Sequence, residues 1–330
     1  MNQQRKSLRV GLAVMACALL FRLLGTSPVE TVIRFFSQKE VAAALIFLET
    51  GRVIRTGNMA DAVVVPTEPE KQSDALRFQP EDAQLVQVSA VCEYPLELEQ
   101  MLTAPLSWDL QQDAPTVLIL HSHATEAYTP TEDQTYTPSS PYRTLDTQHN
   151  TVRIGQQLAQ LLRAGGVKVI HDTTLHDHPD YNGSYTYARK TITQYLQENP
   201  SICMVIDIHR DALSLDSEKQ LTTHAQVYGK DSSQLMMVVG TDASGRNHPQ
   251  WEENMALAVK LHTRLEQLCP GICRPISFRN QRFNQDLSTG AMLIEVGAAG
   301  DSLEQALVAT RVLAEAILDL AAGTTEAATS

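Results

Sequence analysis

Four residues of this chain have the types and spacing to hold and use a divalent metal. His123 and Glu126 follow the apolar run Thr116-Val-Leu-Ile-Leu120, His209 ends the run Ile202-Cys-Met-Val-Ile-Asp-Ile208, and Glu295 sits in Ala291-Met-Leu-Ile-Glu-Val-Gly297. Imidazole nitrogen and carboxylate oxygen are donors that suit Zn²⁺. A catalytic zinc site needs three protein ligands, an open position for water, and a nearby carboxylate to take that water's proton. The inventory therefore reads as His123, Glu126 and His209 for the metal and Glu295 as general base. Alternate side chains of a strand point the same way, so His121 competes with His123. Pairing with Glu126 selects His123 and leaves His121 as the alternative ligand. Arg210, beside His209, is a second catalytic candidate. It could stabilise an oxyanion, hold a substrate carboxylate, or simply pair with Asp207 or Asp211.

These residues need strands that end at one place. Between about residues 114 and 322 short apolar runs alternate with amphipathic segments, which predicts an α/β domain: a mostly parallel, doubly wound sheet with helices on both faces. In such sheets the ligand crevice lies at the carboxyl ends of the strands, where all four candidates fall. Further strands are expected at Val167–Ile170, Ala225–Tyr228 and Leu235–Val239. Helices are expected at Asn150–Ala164, at Ser184–Asn199 with a serine N-cap, at Pro249–Leu268, and after a capping box Asp301-x-x-Glu304.

The chain has 330 residues, 43% of them hydrophobic, and a formal net charge of −12. That charge disfavours non-specific binding to nucleic acid or to an anionic membrane surface. Residues 8–25 are the most apolar window, preceded by Arg5, Lys6 and Arg9. A positively flanked apolar stretch of this kind predicts export, read here as a retained single-pass anchor over residues 1–25 with the rest extracytoplasmic. A cleaved signal peptide is the alternative. Residues 26–55 read as a juxtamembrane amphipathic segment and 56–113 as an acidic, proline-bearing spacer, within which Val86 to Met101 could dock on the domain. Residues 323–330 read as a disordered tail. Of the five cysteines, only Cys269 and Cys273 are close enough in sequence to bridge; two ordinary thiols around a turn is the other reading.

The motifs Leu120-His-Ser-His-x-x-Glu-x-Tyr128, Asn150-x-Val-Arg-x-Gly155, Tyr181-Asn-Gly-Ser-Tyr185, Ile206-Asp-Ile-His-Arg-Asp-Ala212, Val239-Gly-Thr-Asp242, His248-Pro-x-Trp-Glu-Glu-Asn254 and Leu293-Ile-Glu-Val-Gly297 appear in order. Together they resemble the stage II sporulation protein P family. That resemblance implies a branch of the zinc-dependent N-acetylmuramoyl-L-alanine amidases. It implies a peptidoglycan substrate, an additional endopeptidase activity, a role in forespore engulfment, a membrane anchor, and stage II sporulation proteins D and M as partners. Zinc amidases of this type take a ligand glutamate near the start of the first helix. Here that region offers Asp146, His149 and Asn150 instead.

His171, His176 and His178 with Asp172, Asp177 and Asp180 read as a solvated loop that could contact substrate. Trp251 either stacks on sugar or staples a helix entrance. Besides an amidase, the pattern admits a metallocarboxypeptidase-like cell-wall peptidase and a non-catalytic wall-binding scaffold.

Overall fold

Val117–Leu120 (β2) is apolar at every position and buried at every position, which marks a strand covered on both faces. The computed structural model describes residues 76–106, 109–214 and 220–327. The expected anchor, the juxtamembrane segment and residues 56–75 of the spacer lie outside the described residues. Among the described residues no helix is long and apolar enough to cross a membrane.

Around β2 the chain builds a seven-stranded sheet in the order β1-β8-β7-β9-β4-β2-β3. Its other strands are Val88–Ala90 (β1), Val169–His171 (β3), Met204–Asp211 (β4), Leu235–Gly240 (β7), Ile276–Arg279 (β8) and Ala291–Ala298 (β9). Every pairing is parallel except β7–β9, where the strand direction reverses. The carboxyl ends of β2, β4 and β9 therefore share one edge.

Helices Leu98–Thr103 (α1), Thr151–Ala164 (α2), Ser184–Glu198 (α3), Trp251–Leu268 (α4) and Leu303–Ala327 (α5) flank the sheet. Side chains of α2, α4 and α5, such as Leu158, Leu261 and Leu313, pack with Ile119, Ile206 and Ile294 into the main core. The opposite face is thinly covered: Ala188 and Ile192 of α3 meet Leu118, Leu120 and Val205, while Phe283 lies over Met236, Val238 and Leu293. That thinner face leaves room for a site.

Several expectations change. Residues 76–104 are part of the domain rather than spacer, because β1 extends the sheet beside β8 and Leu102 of α1 is completely buried. Ala225–Val227 (β5) does not join the main sheet. It pairs with Lys230–Ser232 (β6) across Tyr228 and Gly229, whose φ values of 49° and 76° suit a two-residue hairpin turn. Gly183, not Ser184, precedes α3 as its cap. At α5 the capping box is Ser302 with Gln305, whose groups bond reciprocally at 2.9 and 3.2 Å, because Asp301 is spent on Thr223 and the Ala298 amide. Helix α5 continues to Ala327, past the expected start of the tail. Cys269 and Cys273 are free thiols.

Candidate metal centre

The chain leaves β2 at Leu120 and turns so that Ser122, His123 and Glu126 face the end of β4. Hydrogen bonds to Asp207 and Asp177 set this turn. The Ser122 amide and hydroxyl donate to Asp207 at 2.7 and 2.5 Å, and the Thr125 amide and hydroxyl donate to Asp177 at 3.1 and 2.5 Å. Arg143 then ties Asp177 at 2.8 Å to Glu126 at 3.3 Å. Two buried carboxylates thus hold the segment that presents the candidate ligands.

His123, Glu126 and His209 converge, with one donor atom from each lying within 4.8 Å of the others. His123 Nδ1 and His209 Nδ1 each stand 3.4 Å from a different oxygen of Glu126. Among the described residues this is the only group of three or more such side chains close enough to hold a metal ion. Glu295 is the β9 partner of His209 in the ladder, so the two side chains emerge side by side on the thinly covered face.

Electrostatics separate the two glutamates. Burial pushes the Glu126 carboxyl upward, but the Arg210 guanidinium and bonds from His123 and His209 hold it well below the usual carboxylate range. Glu295 has no such partner. Burial pushes it up to about 8 against the pull of the His209 charge, with a smaller push from Glu126, and its Oε2 has no hydrogen-bond partner. His209 is opposed by burial yet held well above its ordinary value by Asp207 and Glu126. Its Nε2 lies 3.0 Å from Asp207 Oδ1 but without hydrogen-bond alignment.

His121 does not join the cluster. It is fully buried, its Nδ1 lies 3.1 Å from the Ile208 carbonyl, and its Nε2 lies 3.0 Å from His171 Nε2. A carbonyl only accepts, so Nδ1 carries the hydrogen and Nε2 accepts from His171. Gly155 makes space for this pair: a Cβ there would stand 2.6 Å from His121 Nε2. Arg210 does not pair with Asp207 or Asp211. Its Nε and Nη2 donate to the Ala127 and Tyr142 carbonyls at 3.0 and 2.9 Å, and Nη1 lies 3.7 Å from Glu126. Asp211 pairs instead with Arg274 at 2.7 Å. Arg210 clamps the turn and neutralises Glu126.

The remaining candidates are structural. Asp146 and His149 pair with each other at 2.8 Å, and Asn150 caps α2, so none of the three reaches the cluster. His176 is not solvated: it is buried between the His121 carbonyl and Thr191, both at 2.9 Å. Trp251 is buried against Tyr94 and Phe278 and staples the helix entrance. Sequence reasoning missed Asp177 and Arg143 as supports, and Tyr181 and Tyr185 as walls. Tyr181 stacks on His123 at 4.7 Å and Tyr185 on His209 at 6.3 Å. Two tyrosines flanking Asn182-Gly183 were the available signal.

The family model for stage II sporulation protein P covers residues 48–318. The chain belongs to the stage II sporulation protein P family. Stage II sporulation protein P of Bacillus subtilis (strain 168) is 26% identical over 219 residues, 63% of this chain and 51% of that protein. The chain therefore spans about half the length of this relative. Among solved structures, an N-acetylmuramoyl-L-alanine amidase from Clostridium difficile 630 matches with a TM-score of 0.37 and 16% identity, over 66% of this chain and 99% of its own. The catalytic domain of the N-acetylmuramoyl-L-alanine amidase CwlV from Bacillus (Paenibacillus) polymyxa var. colistinus matches with a TM-score of 0.37 and 13% identity, over 65% and 98%.

Proposed function

We propose that the chain is a zinc-dependent peptidoglycan hydrolase that cuts the amide between N-acetylmuramic acid and L-alanine, and also stem-peptide cross-links, during forespore engulfment. The observation that carries this reading is one juxtaposition: a His₂–carboxylate triangle, buried at Glu126 and His209, with the carboxylate of Glu295 in ladder register with one of its histidines. Membership in a sporulation family supports the setting. The proposal includes an anchor at residues 8–25, an extracytoplasmic domain at the cell membrane, and stage II sporulation proteins D and M as partners.

The donor set fits zinc, since two imidazoles and one carboxylate converge while the buried Glu295 Oε2 beside them lacks a hydrogen-bond partner. When bound, zinc acidifies a water to a pKa of about 7 and polarises a carbonyl, which removes the need for an enzyme nucleophile. Glu295 accepts the proton of the attacking water and returns it to the departing amine, the task for which a carboxyl of raised pKa is suited. Asp207 orients His209, and Arg210 and Arg143 keep Glu126 ionised. Tyr181 and Tyr185 wall the site with aromatic surface on which substrate can lie.

Mass spectrometry of peptidoglycan digested by the protein, with and without a chelator, tests the reading. Stem peptides with a free amino-terminal L-alanine, lost on chelation, are expected. Release of single carboxyl-terminal residues would make the protein a carboxypeptidase, and no product from zinc-loaded protein would make it a scaffold.

A further inference from the structure

The face that carries the metal cluster continues beyond it. Glu295 lies opposite Met236 in the β7–β9 ladder, and Met236, Val238 and Leu293 extend the same face beneath the ring of Phe283. Beside Phe283 opens a cavity of about 420 Å³ whose lining includes Tyr185, Arg246, Arg282 and Asn284. Tyr185 belongs to both places: its ring centroid is 6.3 Å from that of His209 and 6.0 Å from that of Phe283. Cluster and cavity therefore share one wall.

Two observations show that the cavity is built. Phe283 and Asn284 have φ values of 49° and 61°, a left-handed backbone that a bulky residue such as Phe adopts only when its surroundings hold it. The hold is explicit: Gln285 accepts from the Gly240 amide and donates to the Val238 carbonyl, both at 2.8 Å, and Asn284 donates to the Tyr185 carbonyl at 2.8 Å. The second observation is charge. In a chain of net charge −12, Arg189 and Arg282 share one carboxylate, Asp286, at 2.7 and 3.0 Å. Arg246 follows the turn closed by the Gly245 amide on the Asp242 carbonyl at 2.7 Å, and it has no ion-pair partner among the described residues. The nearby Asp242 carboxylate is engaged by Tyr94 at 2.6 Å. The cavity wall thus presents two guanidinium groups, Arg246 and Arg282, next to aromatic rings.

We infer that this cavity is a carboxylate subsite, which takes the free carboxyl end of a peptide whose scissile amide lies at the metal cluster, with Arg246 as its anchor. Guanidinium is the side chain that binds a carboxylate through two parallel hydrogen bonds, and an uncharged glycan segment would leave it without a counter-charge. A free terminal carboxylate is then what the groove selects. The inference rests on the hydrolase reading above and adds the part of the substrate that the cluster does not touch.

The test uses the full chain, loaded with zinc, and two muramoyl tetrapeptides that differ only in a terminal carboxylate or carboxamide. Wild type should favour the acid in kcat/KM by about tenfold, mainly through KM, the scale of one charge-assisted contact. Arg246→Gln should bring the acid-to-amide ratio close to one, and Arg246→Lys should keep part of the preference. Calorimetric binding of both peptides to Glu295→Gln, alone and combined with Arg246→Gln, ranks them without turnover. Hydrolysis of acid and amide at equal efficiency by wild type overturns the subsite and leaves the hydrolase reading intact. Tighter binding of the acid, lost with Arg246→Gln but with no hydrolysis by wild type, overturns the hydrolase reading and leaves the subsite. Neither hydrolysis nor preferential binding overturns both.

Discussion

Replacing His121 and His123 in turn separates two histidines that sequence alone leaves in competition. His121→Ala deletes a fully buried ring and strands the Ile208 carbonyl and the His171 N–H that it satisfied. Each unpaired buried group costs about 1–3 kcal/mol, so a loss of roughly 3–5 kcal/mol is expected with the added cavity. That is a large share of the roughly 5–15 kcal/mol by which a domain is stable. His123, by contrast, keeps 14% of its side-chain area exposed, and its replacement should leave folding nearly unchanged. Acid adds a second signature. Burial, then the neighbouring imidazole, lowers His121 from 6.5 to about 3, and burial with Arg163 lowers His171 to about 4. A depressed folded value means stability that is fully present above pH 6.5 and drains away as pH falls toward the folded values. Between pH 6.5 and 4 His121 alone accounts for about 3 kcal/mol, at about 1.4 kcal/mol per unit. His171 is not added in full because the two rings share one hydrogen bond. Urea unfolding at pH 7 and pH 4 measures both effects, and zinc per folded chain is read by atomic absorption. Wild type should lose stability in acid and His121→Ala should lose less, while zinc follows His123 alone. A His121→Ala protein with wild-type midpoint and pH slope, or one that folds normally without zinc while His123→Ala retains it, would refute the reasoning.

Other outcomes follow from the same geometry. Glu295→Gln should bind zinc and peptidoglycan normally but hydrolyse about 10²–10⁴-fold more slowly, as measured by single-turnover assays; a metal-free variant would make Glu295 a ligand. Because Asp207 and Glu126 hold His209 above its ordinary value, zinc must displace its proton near neutral pH. Calorimetry in buffers of different ionisation enthalpy should show proton release on binding, and affinity should fall by up to about tenfold per unit of acidification. Asp207→Asn removes the main support of that shift together with the anchor for Ser122, so proton release should diminish and zinc should bind more weakly. Detergent, not salt, should extract the full-length protein from cell membranes; a soluble extracytoplasmic form beginning near Leu19 would show a cleaved leader instead.

Much of the fold was legible because buried parallel strands announce themselves. Val117–Leu120 and Ile202–Ile208 read as apolar runs, and Leu158, Leu261 and Leu313 recur at helical spacing. What escaped was short or paired at a distance. Ile276–Arg279 alternates over only four residues, and Val88–Ala90 has meaning only beside it, 188 positions along the chain. The convergence of His123, Glu126 and His209 was legible because each ends an apolar run, and direction at such an end is constrained. The structural part of Arg210 was not legible, because nothing local shows that its side chain turns back to the Ala127 and Tyr142 carbonyls. Asp177 was invisible as a support since nothing local shows that it reaches Thr125, 52 residues earlier.

The position of β9 has a consequence for when the protein becomes active. The last strand in the chain lies in the middle of the sheet, between β7 and β4, and it carries Glu295. Until it inserts, the chain can form only two separate parallel blocks, β1-β8-β7 and β4-β2-β3, with the metal donors on one and no proton acceptor. Closing ladders so distant in sequence is slow relative to forming helices. On the proposed reading, a chain on its way out of the cytoplasm would have no complete site until its final strand is seated, and truncation ahead of Ala291 should abolish the site rather than trim it. For a hydrolase whose substrate would be the cell's own wall, assembly order is itself a safeguard.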